Sequence, residues 1–246
     1  MDMIKSPIRK YWDWRSRNFG YDADRSTGIA TTWETTLNKL LPFSDGKQIL
    51  DVGTGMGQLA FYLARSGFTV TGIDLSEEMI LSAKGKANEL NLPIKFDTQD
   101  AEALEFADNT FDALVSRNVL WTLPNPQTAL AEWRRVIKPG GSVVVSDGFW
   151  MNTTLKRIHC LAYKSLKDLF QKTSLISLRF FLSYVRIQKA LPFYEGLRAE
   201  DVKSMLIKTG FKEIKFYNTS VFTAHPYRGD GSHTDRPAFF IAYAYK

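Results

Sequence analysis

From Lys47 to Asp147, apolar strand-like runs alternate with segments of helical spacing, and this alternation restricts the fold more than any other feature of the chain. Residues 48–52 are a short apolar run that ends in a glycine-rich turn. Residues 58–66 follow with helical spacing, Leu59, Tyr62 and Leu63 sharing one face. A β-branched run, 68–73, comes next. Ser76 is placed to cap a helix over 77–91, with Met79, Ile80, Ala83, Ala87 and Leu90 as its buried stripe and Pro93 as its stop. Residues 94–98 and 111–116 predict two further strands. A helix over 126–137 starts on Pro126, a residue suited to a first helical turn, and ends at Pro139-Gly140-Gly141. The valine-rich run 142–146 predicts a fifth strand. Strands alternating with helices imply right-handed βαβ units and a parallel sheet covered on both faces. The near-continuous apolar character of the runs fits strands buried on both sides.

Outside this stretch the periodicity predicts helices near 7–19 and 27–41, a helix over 199–209, a strand over 211–217 and a last strand over 238–245. The polar stretch 225–236 connects the last two. Composition narrows the class. With 44% hydrophobic and 24% charged residues the chain reads as an ordinary globular protein. It has no apolar run long enough for a membrane helix and no secretory-type apolar core near its first residues. One cysteine, Cys160, rules out an intramolecular disulfide and a Cys-cluster metal site, so a reducing, cytoplasmic setting is expected. The formal charge is +6. It is concentrated between Met151 and Arg198, where nine basic residues face only Asp168 and Glu195, a local net of +7.

The chemistry is carried by Asp51-Val52-Gly53-Thr54-Gly55-Met56-Gly57. A strand enters the turn and a helix leaves it. Glycines permit positive φ and close approach of the backbone to a ligand, and the helix start favours an anionic group. Asp74 follows about 20 residues later at the end of the second strand, where a carboxylate can accept from both hydroxyls of a ribose. An adenosine-containing ligand across the strand ends is the natural reading. The spacing is G-x-G-x-G rather than the G-x-G-x-x-G of dinucleotide sites. Asp51, two residues before the first glycine, is awkward beside a pyrophosphate and suits a cationic ligand such as a sulfonium with an ammonium tail.

These blocks, with 70–80, Asp97 to Glu102, 111–123 and 133–147, resemble the class I S-adenosylmethionine-dependent methyltransferases, in particular the small-molecule branch related to quinone biosynthesis. The resemblance implies an α/β, Rossmann-like doubly wound sheet of seven strands, the last one antiparallel, plus a helical cap. It divides the chain into an N-terminal cap (1–45), a cofactor-binding core (46–148), a basic helical insert or lid (149–198) and a C-terminal part completing the core (199–246). It implies roles for individual residues. Asp51, Gly53, Thr54, Gly55 and Gly57 form the turn that faces the methionine part of S-adenosylmethionine. Asp74 takes the ribose. Leu75 packs on the adenine, Asp100 accepts from its amino group and Ala101 offers its backbone N–H to the ring; Met79 and Glu102 are further cofactor-binding residues. Ser116 and Arg117 line the methyl-donor end through backbone atoms. The N-terminal helix brings Tyr11 and Trp12 to the cofactor, where an aromatic face can stabilise a sulfonium. There is one departure: Trp121 and Thr122 stand where relatives commonly carry an acidic residue and a histidine.

The expected reaction is methyl transfer to a small molecule by in-line attack, with S-adenosylhomocysteine as the product. The catalytic group is left unknown, with His159 and Tyr11 as candidates. His159, His225 and His233 lack the close spacing of a metal motif, and no metal is expected. The basic insert has three readings: a cap helix with solvated lysines, a lid that selects acidic or apolar acceptors, or a face for transient contact with a membrane surface or nucleic acid. The apolar run Phe180, Phe181, Leu182, Tyr184, Val185 favours a pocket wall or a membrane over nucleic acid. An RNA or protein methyltransferase and a non-catalytic S-adenosylmethionine-binding module remain the alternatives. The acceptor and the oligomeric state are open at this point.

Overall fold

The computed structural model describes residues 2–18, 27–41, 47–148, 172–222 and 239–246. In chain order the main elements are α1 (Asp2–Asn18), α2 (Thr27–Leu40), β1 (Gln48–Val52), α3 (Gln58–Arg65), β2 (Thr69–Asp74), α4 (Glu77–Glu89), β3 (Lys95–Thr98) and β4 (Phe111–Arg117). They continue as α5 (Pro126–Val136), β5 (Ile137–Gly148), α6 (Lys172–Tyr184), α7 (Ala199–Thr209), β6 (Lys212–Phe216) and β7 (Phe239–Tyr245). The seven strands form one sheet in the order β3-β2-β1-β4-β5-β7-β6. β3, β2, β1, β4 and β5 run parallel. β7 lies antiparallel between β5 and β6. The doubly wound sheet with an antiparallel last strand is therefore as expected.

Alternate residues of the central strands feed two apolar layers. Leu50 and Val52 of β1 join Leu114, Trp133, Val136 and Leu206 on the side covered by α5 and α7. Ile49 joins Trp33, Leu37, Phe61, Ile80 and Val115 on the side covered by α2, α3 and α4. This is the two-residue period of a strand applied to a sheet with both faces buried. A third cluster, comprising Ile8, Tyr11, Trp121, Phe180, Tyr184, Ile187, Leu191 and Tyr194, joins α1 and α6 to the loop after β4.

Local chemistry sets the element ends. The Ser76 hydroxyl accepts from the Met79 N–H at 3.1 Å, the cap expected of it, with Glu77 and Glu78 in the first turn favouring the helix dipole. α4 stops at Glu89, short of the expected residue 91. Asn91 adopts φ 53°, turning the chain before Pro93 is reached, and Leu90 is only partly buried. α1 begins at Asp2 rather than Pro7 and passes through the proline. β5 begins at Ile137, ahead of the expected 142. Phe111 pairs with Ile137 and Ala113 with Ser142, so Pro139-Gly140-Gly141 bulges out within the strand. A side chain at Gly141 would sit 2.5 Å from the Asp112 carbonyl oxygen, which explains the glycine there.

Gly72, in the middle of β2, ties the sheet to the glycine turn. A Cβ there would lie 2.7 Å from the Phe96 ring and 2.9 Å from the Thr54 hydroxyl, and Phe96 is itself packed edge-on against Phe61. Gly72→Ala is expected to destabilise the fold by about 1–3 kcal/mol through overpacking. Urea denaturation checks it; unchanged stability would mean that Phe96 has room to turn aside.

Candidate active site at the ends of β1 and β2

The glycine turn starts where β1 leaves the sheet. Gly53, Gly55 and Gly57 all have positive φ, at 67°, 55° and 89°. Their surroundings differ. A Cβ on Gly53 would meet a Val119 methyl at 2.1 Å, and one on Gly57 would meet the Phe61 ring at 2.7 Å. At Gly55 nothing lies within 4 Å. Gly53 and Gly57 are thus glycines for packing, and Gly55 exposes backbone to open space. The turn is held by the Thr54 N–H on the Ile73 carbonyl and the Gly57 N–H on the Thr54 carbonyl, both 2.9 Å.

Two carboxylates flank this turn. Asp51 is 1% exposed, and the Thr54 hydroxyl donates to its Oδ2 at 2.6 Å. Asp74, at the open side, accepts from the N–H groups of Gly55 and Ser76, both at 2.9 Å. Gly55 therefore presents its N–H to Asp74, and its exposed side is the Cα face. Burial pushes both acids up to about 6 from an ordinary value near 3.8. The Thr54 hydroxyl and the Arg117 charge oppose the shift at Asp51. The backbone N–H groups of Ser76 and Gly55 oppose it at Asp74, while the nearby Asp13 adds to it. Two neighbouring acids held above their usual range, Asp51 buried and Asp74 partly buried, are a common mark of a binding or catalytic site.

The other expected residues lie around the same strand ends. Leu75 is partly buried and Met79 is buried, just beyond β2. Asp100 accepts from the Glu102 N–H at 2.9 Å and, through its other oxygen, pairs with Lys5. Ala101 offers its carbonyl to the Trp133 indole N–H at 3.0 Å. Glu102 is 4% exposed; it pairs with Lys5 and accepts from the Asn125 N–H at 2.6 Å, so its carboxylate anchors the start of α5. Ser116 is buried and its hydroxyl donates to the Val52 carbonyl, joining β4 to β1. The Arg117 guanidinium bonds the Gln58 side chain and lies over the Trp33 ring. Tyr11 is 3% exposed and packs edge-on against Trp12, Phe180 and Tyr184, while Trp12 is partly buried.

Trp121 fills the departure noted in the sequence. Its ring stacks on Tyr184 at 6.0 Å, and its N–H donates to the Asn118 side-chain oxygen at 3.0 Å. Asn118 has φ 63°, a strained value for a non-glycine residue at the end of β4. His159, His225, His233 and Cys160 lie outside the described residues, as does the insert from 149 to 171. Among the described residues no group of three or more His, Cys, Asp or Glu is placed to hold a metal ion, and no helix is long and apolar enough to cross a membrane.

Sequence reasoning missed Lys5, Asp13 and Ser16. Asp13 accepts from the Ser76 hydroxyl at 2.7 Å, and Ser16 bonds the Glu78 carbonyl at 3.0 Å. Asp13 and Ser16 are three residues apart on one helical face, a pattern that flags polar residues turned inward, but its partner cannot be read from spacing.

The raised acids give a signed pH dependence. Between about 4 and 6 the folded chain holds protons on Asp51 and Asp74 that the unfolded chain has released. Their contribution to stability is fully present below the unfolded value and is lost as pH rises through the folded one. Asp51→Asn removes one such group. The melting temperature of the variant minus that of the wild type is expected to rise from pH 4 to pH 7 in ligand-free protein. A flat or falling difference would contradict the assignment.

Comparison with known proteins agrees with this geometry. Residues 50–145 match a family described as a methyltransferase domain. A ubiquinone/menaquinone biosynthesis C-methyltransferase of Bdellovibrio bacteriovorus is 39% identical over 124 residues, which cover 50% of this chain and 53% of that one. A ubiquinone biosynthesis O-methyltransferase of Coxiella burnetii is 40% identical over 101 residues, 41% of this chain and 43% of that one. The chain thus spans about half the length of these relatives or less. In fold it is similar to phosphoethanolamine N-methyltransferase 2 of Haemonchus contortus in complex with phosphomonomethylethanolamine and S-adenosylhomocysteine, with a TM-score of 0.61 at 19% identity over 97% of this chain and 60% of that one. The glycine turn, both carboxylates and most of the strands that position them lie within the stretch, residues 50–145, that matches the methyltransferase-domain family.

Proposed function

We propose that the chain transfers a methyl group from S-adenosylmethionine to a small-molecule acceptor. The observation that carries this reading is the pair of carboxylates, Asp51 buried and Asp74 partly buried, on either side of a turn whose Gly55 faces open space. The residues fit such a cofactor. A sulfonium with an ammonium tail adds to the positive charge of Arg117, which alone leaves Asp51 raised to about 6. A ribose supplies hydroxyl donors for Asp74, whose oxygens keep acceptor capacity beyond the two N–H groups they hold. Asp51 with the Gly53 and Gly55 backbone would face the methionine part. Leu75, Met79, Asp100 and Ala101 would enclose the adenine, and Ser116 and Arg117 would bound the methyl-donor end. Glu102 acts by anchoring that wall.

When bound, S-adenosylmethionine supplies an activated methyl group on a sulfonium leaving group, open to in-line attack. The work left to the chain is to align the acceptor and exclude water, and alignment of this kind is worth on the order of 7–11 kcal/mol. No base is assigned; one is needed only for an acceptor that must lose a proton first. The relatives are named for methyl transfer to carbon, oxygen and nitrogen, which supports a choice of acceptor made outside the shared stretch. The aromatic cluster of Tyr11, Trp121, Phe180 and Tyr184, next to the end of β4, supports an apolar acceptor over an acidic one. The described part of the insert turns Phe180 and Tyr184 inward against α1, and no observation favours an RNA or protein substrate.

Calorimetric titration with S-adenosylmethionine and S-adenosylhomocysteine, with NAD as the control, tests the reading. Binding of both adenosyl compounds and none of NAD is expected. Asp74→Ala is expected to weaken the adenosyl compounds by about tenfold or more, in line with a lost charged hydrogen bond of roughly 1.5–3 kcal/mol. Unchanged affinity would remove Asp74 from the site. Binding of NAD alone would overturn the cofactor.

A further inference from the structure

α1 is fastened at two places, each beside residues proposed to hold the adenosine half of the ligand. At its start the Lys5 ammonium lies 2.5 Å from Asp100 Oδ2 and 2.7 Å from Glu102 Oε2. Further along, Asp13 accepts from the Ser76 hydroxyl, two residues after Asp74, and Ser16 bonds the Glu78 carbonyl and the Ser82 hydroxyl. Lys5 and Asp13 are eight residues apart, about 12 Å along a helix. α1 therefore bridges from the loop after β3 to the loop after β2, the two loops between which an adenosine would lie.

The fastenings are unequal. Arg17 pairs with Glu78 in the open, with the arginine side chain 63% exposed, and such a pair adds little. Lys5 is 7% exposed and Glu102 4%. Parting them would leave charge buried without its partner, which is far more costly than breaking a surface pair. The same ammonium also joins three segments. Asp100 and Glu102 are linked through the Glu102 N–H, and Glu102 holds the Asn125 N–H at the start of α5. A lysine so placed fastens α1 to both the loop after β3 and, through Glu102, the start of α5.

We infer that Lys5 is a positioning residue that latches α1 over the adenosine half of the site and sets how fast an adenosyl ligand leaves. The inference rests on the reading of the site as one for S-adenosylmethionine. Lys5 acts through Asp100 and Glu102, and its loss speeds release more than it slows association.

The test is the release of radiolabelled S-adenosylmethionine from the full chain on chasing with excess unlabelled S-adenosylhomocysteine, followed by rapid filtration. Lys5→Met is expected to raise the dissociation rate by about tenfold or more, as truncating one partner of a buried charge pair does. Lys5→Arg, which keeps the charge, restores slow release. Lys5→Met combined with Glu102→Gln leaves no unpaired buried charge on Glu102, keeps the fold, and is also fast. In ligand-free protein, amide hydrogen exchange of residues 4–16 rises in Lys5→Met while β1 and β4 stay protected. Unchanged release together with unchanged exchange in α1 would overturn the latch. Exchange that rises equally in α1, β1 and β4 would make Lys5 a plain stabilising residue and overturn it as well. A wild-type chain that binds no S-adenosylmethionine would overturn the cofactor reading first, and the latch with it.

Discussion

Two carboxylates enclosed at the ends of adjacent parallel strands are the constraint around which the rest of this structure is arranged. Burying a carboxylate is unfavourable unless hydrogen bonds or an opposite charge compensate it. Here the compensation is partial. Asp51 has the Thr54 hydroxyl, the Ala60 N–H and the charge of Arg117; Asp74 has the backbone N–H groups of Gly55, Ser76 and Leu75. Both remain protonated at a higher pH than an ordinary carboxylate. The sheet makes this arrangement possible, because β1 and β2 lie side by side in parallel and deliver their last residues to one edge. The glycine turn then folds back between them, its Thr54 serving Asp51 and its Gly55 serving Asp74. Holding raised carboxylates there costs the ligand-free protein some stability.

The elements around the site make sense as consequences. β4 places Ser116 against β1 and then turns sharply at Asn118 to send Trp121 into the aromatic cluster. That cluster fixes α1 against α6, and α1 in turn reaches the loops after β3 and β2 through Lys5 and Asp13. Packing and polar contacts therefore divide the labour. Apolar burial decides which face of α1 points inward, and two polar fastenings decide where along the loops it rests.

Much of this was legible in the amino-acid sequence, and the pattern of success has a physical basis. The strands β1, β2, β4 and β5 are apolar on both faces, and the turn carries three glycines with acids at fixed offsets; both signals are local. The Ser76 cap was equally legible, being a single residue's hydrogen bond to the third residue after it. The errors at element ends came from backbone conformations that side-chain character does not announce: the positive φ of Asn91, which stops α4 early, and the bulge at Pro139-Gly140-Gly141, which lets β5 begin early. Lys5, Asp13 and Ser16 escaped because their partners are between 62 and 97 residues away in the chain and are met only once α1 is folded over the sheet. The sequence pattern singled out Glu102 as a cofactor-binding candidate, but could not foresee that its carboxylate is committed to Asn125 and Lys5. The antiparallel position of β7 came from family resemblance, since periodicity contains no strand order.

Asp51 and Asp74, held partly protonated without ligand near pH 6, would on the proposed reading become fully ionised when a cationic adenosyl ligand binds. Calorimetric titration with S-adenosylmethionine at pH 6, in two buffers of different ionisation enthalpy, measures the protons exchanged on binding. The account predicts net proton release, larger for S-adenosylmethionine than for S-adenosylhomocysteine, which lacks the sulfonium charge. Binding without proton release, or with proton uptake, would contradict it.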